Sequence, residues 1–100
     1  MNSYHPDLLW SDGPDNYSDS IWQTKKLFQW IYSESPVKNT IVLNDRWARF
    51  TDGKKHGDYY TREYSTHAMP GDKPWEECRG MGFSFSYNLN EDVEDYSSPQ

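Results

Sequence analysis

One hundred residues with sixteen acids against ten Lys and Arg carry a net charge of −6, the wrong balance for gripping a phosphate backbone, which argues against a nucleic-acid partner. Leu, Ile, Val and Phe supply only fifteen residues, under the ~20% below which chains lean toward disorder, yet seventeen aromatic residues are too many for a linker. No apolar run exceeds three residues, which excludes a membrane-spanning helix, and the lone Cys78 excludes an internal disulfide and a multi-cysteine zinc site.

The start, "MNSYHPDLLW", has neither the charged leader nor the apolar core of a signal peptide. "DLLWS" is a short apolar run bounded by Pro6 and Asp12-Gly13, the pattern of a buried parallel strand. "NYS" at residues 16–18 fits a glycosylation sequon, a pattern short enough to arise by chance. "SIWQTKKLFQWIYSES" follows, with Ser20 and Gln23 in capping-box spacing and Ile21, Leu27, Phe28, Ile31 and Tyr32 on a broad apolar stripe. This predicts one helix from Ser20 to Glu34, stopped by Ser35-Pro36, with Lys25-Lys26 on its solvated face. "TIVLND" is a second strand, rich in β-branched residues.

Strand, helix and strand in about forty residues form a βαβ unit, which joins parallel strands. Both strands then end on one side. There Asp12 meets Asn44, Asp45 and Arg46, at the carboxyl edge where α/β folds bind their ligands.

From Trp47 to Trp75 no periodicity is visible, and the turn-rich stretch with Tyr59, Tyr60 and Tyr64 reads as a long, ordered, site-forming loop. "GFSFSYN" alternates apolar and small polar residues from Gly82 to Asn88 and predicts a third strand. The acidic tail, residues 93–100, is expected to be disordered.

Two carboxylates flanking one bond are what retaining glycoside hydrolysis needs, about 5–5.5 Å apart. Asp12 can serve as nucleophile at a rigid strand tip. Asp58, Glu63, Glu76 and Glu77 are candidate partners, of which Glu63, between Tyr60 and Tyr64, fits best, since aromatic surroundings partly desolvate a carboxyl as a general acid requires. Plainer readings stand beside these. Asp12-Gly13 can be a strand-ending turn, Glu63 a solvated loop acid, Arg46 an ion-pair partner of Asp45 or another acid, and Trp10 a packing residue beside Leu8 and Leu9. Strand register decides whether Phe85 faces core or site. His5, His56 and His67 lack metal-ligand spacing, so no metal is expected.

"YHPDLLWSDG", "LNDRW", "HGDYYTREY" and "KPWEECRGMGFSFSYN", in this order and spacing, resemble the central part of the catalytic barrel of family 29 α-L-fucosidases over nearly all of residues 4–92. The resemblance implies an α/β fold, a fragment of a (β/α)8 TIM barrel with about three middle strands, one clear connecting helix and a long active-site loop. Residues 1–92 would be the barrel segment and 93–100 a tail. It implies hydrolysis of terminal α-L-fucose from glycoconjugates with retention, through a covalent fucosyl-enzyme and without a cofactor. The family's nucleophile matches Asp12 and its acid/base aligns with Glu63, a less uniform position. Trp10 and Arg46 match positions lining the fucose site, and Phe85 matches an aromatic against the sugar's methyl group. Family members are typically lysosomal, secreted or periplasmic. Three strands cannot close an eight-stranded barrel, so residues 1–100 alone are expected to be inactive and unable to unfold as one cooperative unit. A non-catalytic carbohydrate-binding module would normally be all-β, which the helical stretch opposes; a truncated, inactive gene product is the other alternative.

Overall fold

A computed structural model describes residues 1–13, 16–65 and 71–98. Strand β1 (Leu8–Leu9) pairs in parallel with β2 (Val42–Leu43), in the register Leu8 to Val42 and Leu9 to Leu43. The backbone N–H groups of Val42 and Asn44 donate across to Asp7 and Leu9, at 2.9 and 3.4 Å. The connection between them is helical, as the βαβ reading requires.

Two helices replace the expected one. Helix α1 (Asp19–Trp22) is followed by Gln23 in the left-handed region, φ 53°, and then by α2 (Thr24–Ser33). The capping box on Ser20 and Gln23 does not form: the first cap is Ser18, Ser20 lies inside α1, and its hydroxyl pairs with that of Ser18 at 2.8 Å. The physical reason is burial. Asp19 sinks to 4% exposure against the N–H of Thr51, 3.1 Å, and that anchor fixes the cap two residues earlier than the pattern suggests.

In α2 the buried face runs through Thr24, Phe28 and Ile31 and on to Ser35, spaced at helical intervals. Ile31 packs with Val37, Ile41 and Leu43 as the core, joined by Leu9, Phe28, Trp30 and Trp47. Each fully buried Ile or Leu there stabilises the fold by roughly 1.5–3 kcal/mol. The other half of the predicted stripe stays in solvent, Ile21 at 65% and Leu27 at 38% exposure. Since α2 covers the sheet face of Leu9 and Leu43, the opposite face, with Leu8, Val42 and Trp10, is open.

The stretch read as a loop contains one more strand, and another starts at its end. β3 (Tyr60–Glu63) and β4 (Trp75–Cys78) pair in parallel, Thr61 with Glu76 and Glu63 with Cys78. Their sequences, YTRE and WEEC, hide the pleat because the alternating positions carry polar groups that meet other polar groups. The two sheets are bridged: Leu43 N–H donates to the Asp58 carboxylate at 2.7 Å, Asp58 N–H returns to the Leu43 carbonyl at 2.8 Å, and Thr61 N–H reaches Asp45 at 3.0 Å. The second edge of β2 is thereby satisfied by the approach to β3.

Residues 82–88 form no strand, correcting that expectation. Phe83 and Phe85 are 85% and 71% exposed, and the Ser84 N–H is taken by the Glu91 carboxylate at 2.6 Å instead of by a neighbouring strand. Alternation makes a strand only where an edge is offered to it. In the expected disordered tail, Val93–Asp95 form a 3-10 turn and Ser97 N–H donates to the Met81 carbonyl at 2.7 Å. No helix among the described residues is long and apolar enough to cross a membrane.

Candidate functional site

The chain beyond β1 is held by Asn44, which is fully buried. Its amide accepts from Ser11 N–H at 3.0 Å and donates to the Ser11 carbonyl at 2.8 Å, a two-point clamp on the residue before Asp12. Gly13 follows at φ 90°, so the chain turns at once. The Asp12 carboxylate therefore projects from a fixed strand end, 68% exposed.

Two residues past Asn44, Arg46 gathers the site. Its Nε donates to the Thr61 hydroxyl at 2.7 Å, and one nitrogen, Nη1, lies 3.3 Å from Asp12 Oδ1 and 2.7 Å from Glu63 Oε1. Two oxygens on a single nitrogen at those distances are at most about 6 Å apart. The guanidinium also sits over the Trp10 ring, 5.0 Å from its centroid, a cation–π arrangement. Burial works against its charge, but the Glu63 and Asp12 carboxylates outweigh that and hold the Arg46 pKa above its usual value.

The acids that Arg46 pairs with are Asp12 and Glu63, not Asp45, so the plainer reading of an ion-pair residue holds with other partners. Asp45 is buried and committed elsewhere: Oδ1 accepts from the N–H and hydroxyl of Thr61 at 3.0 and 2.6 Å, and Oδ2 meets Lys55 Nζ at 3.1 Å. Thr61 thus relays the buried Asp45 to Arg46, whose fork is set before any ligand arrives.

The pleat of the second sheet completes the arrangement. Thr61 and Glu63 on β3 share a face with Glu76 and Cys78 on β4. Glu76 Oε2 accepts from Trp10 Nε1 at 3.3 Å, and the Cys78 thiol lies 3.6 Å from Glu76 Oε1. Burial, then Glu76, pushes the Cys78 thiol up; the same two causes push the Tyr59 phenol up to about 12. Trp10, at 38% exposure, is no core residue.

Of the sequence-derived candidates, the structure brings together Trp10, Asp12, Arg46 and Glu63. Among the described residues no hydrogen bond or ring contact joins Phe85 to them; its ring packs 6.4 Å from that of Tyr64, next to Glu63. Asp58 and Glu77 are taken up by backbone, at Leu43 and at Ser65 N–H, 2.7 Å each. His56 pairs with Asp52 at 2.6 Å, and His67 lies outside the described residues. Sequence reasoning missed Thr61 and Cys78. The parallel register of β3 against β4 brings them to this face, and no pattern local to either segment marks them.

Three carboxylates, a fixed guanidinium and an indole face around one opening can bind and polarise a polar, ring-shaped ligand and move a proton to or from it. No group of three or more metal-ligating side chains occurs among the described residues.

A family profile described as alpha-L-fucosidase matches residues 1–100. The chain is 43% identical to rat (Rattus norvegicus) tissue alpha-L-fucosidase over 83 residues, 81% of this chain and 18% of the relative. It is 40% identical to the human (Homo sapiens) tissue enzyme over 90 residues, 87% and 19% of the two chains. Rat plasma alpha-L-fucosidase is 38% identical over 100 residues, 96% of this chain and 21% of that one. The chain spans about a fifth of the length of these relatives.

Proposed function

The chain belongs to the alpha-L-fucosidase family, and on that premise we propose that it supplies consecutive staves of a (β/α)8 barrel that hydrolyses terminal α-L-fucose from glycoconjugates with retention of configuration. Asp12 attacks the anomeric carbon while Glu63 protonates the departing glycosidic oxygen, leaving a covalent fucosyl ester on Asp12. Glu63, now ionised, takes a proton from water, which hydrolyses the ester and frees Asp12. Arg46 orients both carboxyl groups and compensates charge on Asp12. Trp10 offers an indole face to the sugar, and Phe85 an apolar contact to its methyl group.

The observation that carries this reading is the shared Arg46 nitrogen: the Asp12 and Glu63 oxygens on it are within about 6 Å of each other, which supports a pair working on one bond at the ~5–5.5 Å of retaining enzymes.

The test uses the protein carrying residues 1–100 within its complete catalytic barrel. Asp12→Gly abolishes turnover of an aryl α-L-fucoside, and added azide restores it as β-L-fucosyl azide. Glu63→Gln lowers kcat by about 10²–10⁴-fold on a poor leaving group and much less on an acidic aryl one, which needs little protonation. Azide rescue of the α-anomer, or the leaving-group dependence moving to Glu76→Gln, overturns the assignment. Purified residues 1–100 alone give no turnover of the same substrate.

A further inference from the structure

A cavity of about 490 Å³ opens beside the carboxylate pair, and its lining is unlike the rest of this acidic chain. Arg46, Arg49, Lys54, Lys55 and Arg62 all contribute to it, half of the ten basic residues in the sequence. Asp45 and Glu63 are the acids in that lining.

Three of these cations are already engaged: Arg46 by Glu63 and Asp12, Lys55 by Asp45, and Arg62 by the Ser65 hydroxyl. Arg49 and Lys54 are different. Their backbone N–H groups are bonded, to the Tyr17 carbonyl at 2.9 Å and to Asp52 at 2.9 Å, so the residues are anchored. Neither side chain forms an ion pair among the described residues, although the chain as a whole carries an excess of acid.

The position of the cavity gives this charge a purpose. Glu63 lines it and Asp12 does not. A general acid faces the leaving group, and the nucleophile attacks from the opposite side. With Glu63 as the proton donor, the cavity opens on the leaving-group side of the carboxylate pair.

We infer that this cavity is an aglycone subsite for saccharides bearing an anionic substituent, a sulfate ester or a carboxylate, held by Arg49 and Lys54. The inference rests on the assignment of Glu63 as the proton donor. The planar fork of an arginine matches the oxygens of either anion in pairs, and an ammonium adds a point charge within a cleft that concentrates the field. With Asp45 and Glu63 already matched by Lys55 and Arg46, the incoming anion meets positive charge that no acid among the described residues pairs.

The test is a binding measurement by titration calorimetry on the protein carrying residues 1–100 within its complete catalytic barrel. The probes are galactose 6-sulfate, galacturonate, neutral galactose and inorganic sulfate. The expected result is that at least one anionic sugar binds about ten-fold or more tightly than galactose and more tightly than inorganic sulfate, with a preference that shrinks as salt rises. Which of the two anionic sugars wins identifies the substituent. Arg49→Ala and, separately, Lys54→Ala remove the preference, and neither change unpairs a charged group among the described residues. Equal affinity for charged and neutral sugar, binding no better than sulfate alone, or a preference untouched by both substitutions overturns the inference. The readout is binding and not hydrolysis, so its failure leaves the Asp12 and Glu63 roles standing; theirs would show instead in the azide and leaving-group experiments.

Discussion

At the scale of single residues, polar side chains carry tertiary order that the thin aliphatic core does not. Asn44 fastens the end of β1 to β2 through Ser11 with both ends of its amide. Asn44→Ala leaves the Ser11 N–H and carbonyl without these partners, and local stability falls by about 1–3 kcal/mol, read as faster hydrogen exchange at the Ser11 amide. Asn44→Asp keeps an acceptor but loses the donor, and restores only part of the protection. Asp19 gives a pH dependence. Burial raises its pKa, but Lys25 Nζ at 3.1 Å and the Thr51 N–H outweigh that, so it stands below the ordinary 3.8. A carboxyl whose folded pKa is depressed stabilises the fold above its unfolded value and loses that contribution as pH falls through the folded one. Protection of the Thr51 amide is thus expected to hold at neutral pH and decline only below 3.8. Lys25→Met moves the carboxyl titration upward, as a carbon-detected NMR titration of Asp19 can show.

At the scale of elements, backbone contacts decide what the sequence pattern leaves open. The chain leading into β3 passes so close to the end of β2 that a Cβ at Gly57 would lie 2.3 Å from the Asn44 carbonyl oxygen, with φ at 156°. No side chain fits there, and the nearest atom is backbone that cannot step aside. Gly57→Ala is expected to cost more than about 2 kcal/mol, measured as lost exchange protection at Leu43 and Asp58, and to disturb the Asp45–Thr61 contacts that aim Arg46. The helical segment was legible from its apolar spacing, and so were β1 and β2, whose ends carry Asp12 and Arg46. β3 and β4 were not. Four-residue strands with Thr61, Glu63, Glu76 and Cys78 on the face toward Arg46, and Arg62 and Glu77 beside Tyr60 and Trp75 on the other, present no run of apolar positions long enough to read as a period. "GFSFSYN" failed in the opposite sense, since its period was clear but no strand edge receives it.

At the scale of the whole molecule, the described structure is extended. Its Cα radius of gyration is 16.7 Å and its axes measure 49 × 33 × 26 Å, against ~13 Å for a compact domain of 100 residues. Ile21, Trp22, Leu8 and Val42 are each half or more than a third exposed, and no layer of described residues covers the sheet face opposite α2. Parallel strands are ordinarily buried on both faces. Residues 1–100 by themselves are therefore expected to melt gradually and to bind a hydrophobic dye before heating. A sharp calorimetric transition, with equal van't Hoff and calorimetric enthalpies, would contradict this.

What the sequence determined by itself is the local and the chemical: a βαβ unit from residue spacing, strand ends bearing Asp12 and Arg46, and a family resemblance written in ordered motifs. Tertiary structure alone decided that Asp12 and Glu63 converge on one guanidinium, that Asp45 turns away from Arg46 toward Thr61 and Lys55, and that half of the basic residues meet in one cavity. The physical reason is separation along the chain. Periodicity reports which face of an element is apolar, whereas a contact between residues 12, 46 and 63 depends on how parallel strands are placed side by side, which no local pattern encodes.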